Sequence, residues 1–222
     1  MAYLALGILL LGSSCHKKTT DIRVQFLNAL PYSGYVDYYL QGEKRSSFIG
    51  MAQGSNSHTA NLIAGEPLTL EIKNPNSGNS LLASARADWQ AGTHYTYVMY
   101  GDTAAPQGTW MSDTVSWPTA GRFKVRFGHF APDAPALDVL YNNDTVAFNR
   151  LYFGTDSTQA LSDFTELPAG TYTVRVQDHN TGQTYLIQPN IGIQGNRILE
   201  IFTTGLMSDS VTAFFQLGTM AR

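Results

Sequence analysis

Cysteine is all but missing from this 222-residue sequence, which has only Cys15. A single thiol excludes a disulfide framework and a cysteine-rich zinc site, so the fold must be held by apolar cores. Charge is scarce as well: 14% of residues carry it, and 14 Lys and Arg against 17 Asp and Glu leave a net charge of -3. Basic residues are adjacent only in the pairs Lys17-Lys18 and Lys44-Arg45, with no longer basic run, which removes the electrostatic footprint of a nucleic-acid binder. Also missing are a long amphipathic helical pattern, an apolar run of the ~20 residues needed to cross a bilayer, and the motifs G-x-S-x-G and H-E-x-x-H. The five histidines, at 16, 58, 94, 129 and 179, fall at no metal-ligand spacing. The expectation is no enzyme, no metal and no cofactor.

What is present is 43% hydrophobic and 12% aromatic residues, which marks a globular chain with an uncharged polar surface. The N-terminal MAYLALGILLLGSSCHKK is too short to span a bilayer and reads as the core of a signal peptide. Ile8 to Leu11 followed by Gly12-Ser13-Ser14-Cys15 resembles the lipobox of bacterial lipoproteins, in which the Cys is acylated and becomes the mature N-terminus. It departs from the pattern in two ways: Leu11 stands four residues before Cys15 instead of three, and no Lys or Arg precedes the apolar run. The resemblance implies a signal peptide over 1–14, lipidation at Cys15, a tether over 15–21, and a protein lipid-anchored in the cell envelope. That places it at the outer membrane, with periplasmic or surface facing left open.

The rest of the chain repeats itself. VQFLNALPYSGYVDYYL (24–40) laid over VRFGHFAPDAPALDVLY (125–141) aligns Val24 with Val125, Phe26 with Phe127, Pro31 with Pro132 and Asp37 with Asp138, all at one offset. The segments 61–79 and 166–183, and then 90–101 and 193–205, continue the register with small slips. Both copies read as β: Ile22-Val24-Phe26, Leu68-Leu70-Ile72, Tyr95-Tyr97-Met99, Val125-Phe127-His129 and Tyr172-Val174-Val176 alternate with period two, and Asn-Ser-Gly and Ala-Gly turns separate them. Short strands at this spacing predict an all-β chain of two tandem antiparallel β-sandwich domains, Ig-like or prealbumin-like, over 22–116 and 123–222, with a linker over 117–122. Trp110 to Trp117 and the segment 209–218 are expected to be the last strand of each copy.

The second copy's V-R-x-x-H-x-x-P-x-x-P-x-x-D-V, followed by L-P-A-G-T-Y-x-V-x-V, resembles the exported repeat known as domain of unknown function 4397. His129, Pro132, Asp133, Pro135, Asp138, Val139 and Leu167 to Val176 carry the match over residues 124–206. In the first copy Asn28 replaces the His, Tyr32 the Asp and Gly34 the second Pro. The resemblance implies an exported β-sandwich, often in tandem and lipid-anchored, and no activity.

Three sets of residues are candidates for function. His129 and Asp133 form a possible ligand-binding pair, although Pro132 and Pro135 stiffen their loop and fit a plain crossover between strands. Asp138, kept as Asp37 in the other copy, fits a carboxylate that satisfies a loop. Exposed aromatics are the second set: Tyr32 and Tyr35 lie in the first copy's loop, where rings can stack on sugars or anchor a partner. The third set is Asp followed by Ser or Thr, at Thr103, Thr114, Thr145, Ser157 and Ser210, which resembles an O-glycosylation acceptor of exported proteins in one Gram-negative phylum. The same sequence is also an ordinary turn into a strand. Two functional readings follow: a structural, adhesive or assembly module of the envelope, or a glycan- or peptide-binding accessory lipoprotein of an outer-membrane uptake system. The partners expected are the membrane, through the lipid anchor, and envelope proteins or glycans.

Overall fold

Leu68–Lys73, LTLEIK, buries Leu68, Leu70 and Ile72 and turns Thr69 to solvent, and Tyr172, Val174 and Val176 are buried in the same alternating way in Gly170–Asp178. Successive side chains of an extended chain point to opposite faces, so such segments lie at a sheet surface with one face on a core. A computed structural model describes residues 21–46, 52–56, 60–63, 67–86, 88–112, 115–156 and 163–221. Cys15, Thr114 and Ser157 lie outside the described residues, and with them the expected signal peptide and tether.

The described residues form sixteen strands and no helix. The first half contributes β1 (Asp21–Asn28), β2 (Asp37–Leu40), β3 (Glu43–Lys44), β4 (Ala60–Ile63), β5 (Leu68–Lys73), β6 (Ser80–Arg86), β7 (His94–Asp102) and β8 (Ala105–Ser112). The second contributes β9 (Arg122–His129), β10 (Leu137–Tyr141), β11 (Asp144–Arg150), β12 (Thr165–Pro168), β13 (Gly170–Asp178), β14 (Thr184–Ile193), β15 (Arg197–Thr204) and β16 (Gln216–Ala221). They pair into four sheets, β4-β1-β7-β8 with β3-β2-β5-β6, and β12-β9-β15-β16 with β11-β10-β13-β14. Strand for strand, the order in one half matches the order in the other.

Within each half the two sheets face each other over an apolar core. Ile22, Val24, Phe26, Tyr95 and Tyr97 meet Tyr38, Leu40, Leu70 and Ile72 in the first. Phe123, Val125, Phe127 and Ile201 meet Val139, Tyr141, Val174 and Val176 in the second. Each fully buried side chain of this kind contributes roughly 1.5 to 3 kcal/mol, which is how the fold stands without disulfides. The all-β sandwich expected from the alternation is therefore what is found. The pairing departs from pure antiparallel at one place per half: β1 pairs β7 and β9 pairs β15 in parallel.

Of these, β7, β15 and the later residues of β1 and β9 are buried on both faces, as β15 shows with seven consecutive buried residues, Ile198 to Thr204. Their second faces are turned toward each other across the seam between the halves. There Leu27, Val98, Tyr100 and Met111 join Phe130, Phe153, Phe202 and Met220 in a third apolar cluster, with the Tyr100 and Phe153 rings 5.2 Å apart. Arg126 and Glu200, neighbours in the β9–β15 register, form a buried ion pair of 2.8 Å, and the Phe164 ring lies 4.9 Å from the Arg126 guanidinium carbon. The ends of each copy differ from expectation. The first copy's last strand, β8, begins at Ala105 and ends at Ser112, before Val115 and Trp117; the second copy's, β16, begins only at Gln216, because 205–215 forms a separate loop.

Candidate functional site

The crossover FGHFAPDAPALDV joins the end of β9 to the start of β10, and its polar side chains are spoken for one by one. His129 is 3% exposed, its Nδ1 accepts the Ala131 N–H at 3.3 Å, and Nδ1 lies 3.1 Å from the Thr203 hydroxyl. Its Nε2 lies 3.1 Å from the Pro135 carbonyl, which can only accept, so the proton sits on Nε2 and the ring is neutral. Burial agrees with this, pushing its pKa down to about 4 against the smaller upward pull of the backbone bonds. Asn28, at the matching place in the first half, does the same work: its Oδ1 accepts the Leu30 N–H, also two residues on and also at 3.3 Å. The suggestion that His129 binds a ligand is corrected here, because both ring nitrogens are committed inside the fold.

Asp37 is the first residue of β2 and Asp138 the second of β10, and each is buried. Asp138 accepts the Asn149 N–H at 2.8 Å and lies 3.0 Å from His179 Nδ1, whereas Asp37 accepts from the Ser46 hydroxyl at 2.9 Å and pairs with Lys44 at 2.7 Å. Both therefore tie the start of a strand to a neighbouring segment, the satisfying role that their persistence suggested. Among the described residues no group of three His, Cys, Asp or Glu is placed to hold a metal ion.

Asp133 does something the sequence did not disclose. It reaches out of its own loop to the 205–215 loop, where Oδ1 accepts the Met207 N–H at 2.8 Å and Oδ2 the Ser208 N–H at 2.9 Å. Burial works to raise its pKa, but these N–H groups together outweigh it and hold the carboxyl below the ordinary range. One residue further on, Asp209 Oδ1 accepts the N–H groups of Val211 and Thr212 at 2.7 and 3.0 Å. The neighbouring Tyr32 hydroxyl is the largest influence on this carboxylate, whose pKa is pushed down to about 2, and Asp209 in turn raises the Tyr32 pKa above the phenol value.

Tyr32 thus comes from the first half's crossover and stands against the second half, sharing a groove with Thr212, Phe214 and Gln216. Its backbone lies in the left-handed region at φ 54°, a costly place for an aromatic residue, and its N–H donates to Gln53 Oε1 at 3.2 Å. Around it runs a groove of about 370 Å³ lined by Tyr32, Tyr35 and Gln53 from the first half and Thr212, Phe214 and Gln216 from the second. Tyr32 and Tyr35 are each 52% exposed and Phe214 is 48% exposed. Gly54 is needed beside it: at φ 73° its Cα faces Gln216, and a Cβ there would come 2.4 Å from the Gln216 amide nitrogen.

Of the residues singled out in sequence, then, Tyr32, Tyr35 and Asp133 converge on this seam groove. His129 is buried and takes no part in its lining. The other aromatics of the first half near these segments are structural: Tyr38, Trp89 and Trp110 belong to its core, and Tyr39 lies under Lys73 Nζ at 4.9 Å. Phe214, Gln216 and Asp209 escaped notice because 209–218 alternates like a strand. The Asp-Ser-Val start was the usable signal, since Asp accepting from the second residue on is a turn. Thr103, Thr145 and Ser210 are exposed, and the Asp before Thr103 makes the same kind of turn, Asp102 Oδ1 accepting the Ala104 N–H at 2.7 Å.

No curated protein matches the chain. Among solved structures, the chain is similar to CBMbc, of family CBM26, from Eubacterium rectale Amy13K, a crystal structure in complex with maltoheptaose. The match has 10% identity, covers 89% of this chain and 95% of that one, and has a TM-score of 0.25. At that score it decides nothing about this chain, whose architecture rests on its own strand pairing. A family model described as domain of unknown function (DUF4397) matches residues 22–141, the span from β1 to β10. It takes in the whole half with the altered motif and the strand-loop-strand 125–139, whereas Leu167 to Val176, the other part of the resemblance over 124–206, lies beyond it. That is more than half of the 222 residues, and the chain belongs to the DUF4397 family.

Proposed function

We propose that the protein is a non-enzymatic binding module of the cell envelope that holds a neutral glycan in the groove at the seam. The carrying observation is that three half-exposed rings, Tyr32, Tyr35 and Phe214, surround one groove, with Gln53, Gln216 and Thr212 between them. A sugar ring has an apolar C–H face and a rim of hydroxyls. Aromatic faces suit the first, and amides and hydroxyls suit the second. Covering half of one ring contributes about 2–3 kcal/mol of gross driving force at ~25 cal/mol per Å². Ordering and association costs subtract from that, so several rings are needed for useful affinity. Among the described residues no Lys or Arg lines the groove, while Asp209 stands beside Tyr32, so acidic sugars find no counter-charge there.

A purely structural or assembly module leaves the three exposed rings without a use, and an adhesive role is compatible with glycan binding. The envelope location and the lipid anchor at Cys15 are supported by the lipobox-like segment Ile8 to Cys15. Mass spectrometry of the mature protein tests them, and an unmodified Cys15 refutes the anchor. The binding function is tested by screening the protein against an array of neutral and acidic oligosaccharides and then titrating the hits. Neutral glycans are expected to bind, with Tyr35→Ala and Phe214→Ala each weakening binding about tenfold or more, and Phe148→Ala, an exposed ring elsewhere, leaving it unchanged. An array with no neutral hits, or hits indifferent to both groove variants, refutes the function.

A further inference from the structure

We propose that Asp133 is the positioning residue of the groove: it sets where the 205–215 loop stands, and with that loop Phe214 and the Asp209 carboxylate beside Tyr32. The inference rests on the groove being the binding site and names what assembles it. Asp133 uses one carboxylate oxygen for each of two successive N–H groups, so the backbone at Met207 and Ser208 is fixed in direction as well as in place. Asp209 follows immediately, with its own carboxylate locked by the Val211 and Thr212 N–H groups. The base of the loop is closed by Leu206 N–H donating to the Ala213 carbonyl at 2.6 Å. It is also closed by Gly205, at φ 85°, where any Cβ would lie 2.0 Å from the Phe214 carbonyl oxygen. The loop is therefore stiff, and a shift at its anchor moves Asp209 and Phe214 together.

The symmetry of the two copies strengthens the inference. Tyr32 and Asp133 occupy the same position in the two crossovers, and the seam brings both to the one loop at 207–209. One copy supplies the carboxylate that sets the loop. The other supplies the ring that stands beside the loop.

The test uses the full chain with ring-labelled tyrosine, following the Tyr32 phenol by NMR through its titration in wild type, Asp133→Asn, Asp209→Asn and the double variant. The acidic groups acting on Tyr32 are Asp209 and Asp133 themselves. Removing the Asp133 charge alone would shift the phenol equally with or without Asp209. Positioning predicts a larger shift toward the ordinary phenol value when Asp209 is present than when it is Asn, and equal shifts overturn the proposal. With a glycan that binds wild type, each single variant should weaken binding about five- to tenfold, and the double variant no more than the weaker-binding single; additive losses overturn the proposal. If no neutral glycan binds, the proposed function fails, and the tyrosine cycle alone decides the positioning role.

Discussion

Lowering the pH from 7.5 to 4.5 should cost this fold stability through one buried ring, His129. Its pKa is held at about 4 in the folded chain, chiefly by burial, against 6.5 when exposed. Between those values the unfolded chain binds the proton and the folded chain does not. The contribution is therefore intact above pH 6.5 and is lost progressively as pH falls toward 4. At pH 4.5 the unfolded imidazole is almost wholly protonated and the folded one about a quarter so, which amounts to about 2–3 kcal/mol of lost stability. The control is provided by the molecule itself: His129→Asn installs the residue that the first half already uses, as Asn28, to accept the same N–H. Urea unfolding of wild type and variant at both pH values should show wild type losing about 2–3 kcal/mol more than the variant, since all other titrating groups are common to both. Equal losses in the two proteins would refute a neutral, buried His129 and with it the structural assignment of the crossover.

Asp138→Ala should lower the melting temperature by about 2–10 °C, because it strips a buried acceptor from the Asn149 N–H and from His179, worth about 1–3 kcal/mol; an unchanged melt would show that the carboxylate is not needed by the fold. Gly218→Ala should destabilise by about 1–3 kcal/mol, since a Cβ there would come 2.3 Å from the Phe202 ring, which is buried at the seam. Calorimetry checks that outcome. Tyr32→Asn should abolish glycan binding without lowering the melting temperature, because Asn tolerates the left-handed conformation that Tyr32 occupies at a cost; titration and a thermal melt on the same sample separate the two effects.

How far the sequence foretold this depends on which physics set each residue. Strands with one face on a core, such as β5 and β13, announce themselves by alternation, and so did the sandwich. The parallel strands β7 and β15 were visible as strands but not as doubly covered ones: HYTYVMYG and RILEIFTT were read for their alternate positions, although near-continuous burial was written in the positions between. Asp138 was legible because its counterpart Asp37 survives in the other half. Asp133 was half legible, its carboxylate predictably taking N–H groups, but from a loop some 75 residues away that no local pattern reveals. The groove was legible only on its tyrosine side. Phe214 and Gln216 come from the far end of the chain, and their approach depends on the seam, which is a tertiary event.

The seam has a consequence for how such a protein can be cut. Because the inward-turned sheets cover each other, the two halves behave as a dimer whose partners happen to share a chain. The short connection between β8 and β9 keeps each at an effective concentration in the millimolar range for the other. A half released alone would carry a bare apolar face with Tyr100 and Met111, or with Phe130 and Phe202, and would seek a substitute. Only the joined halves can combine the aromatic of one crossover with the carboxylate of its twin around a single loop.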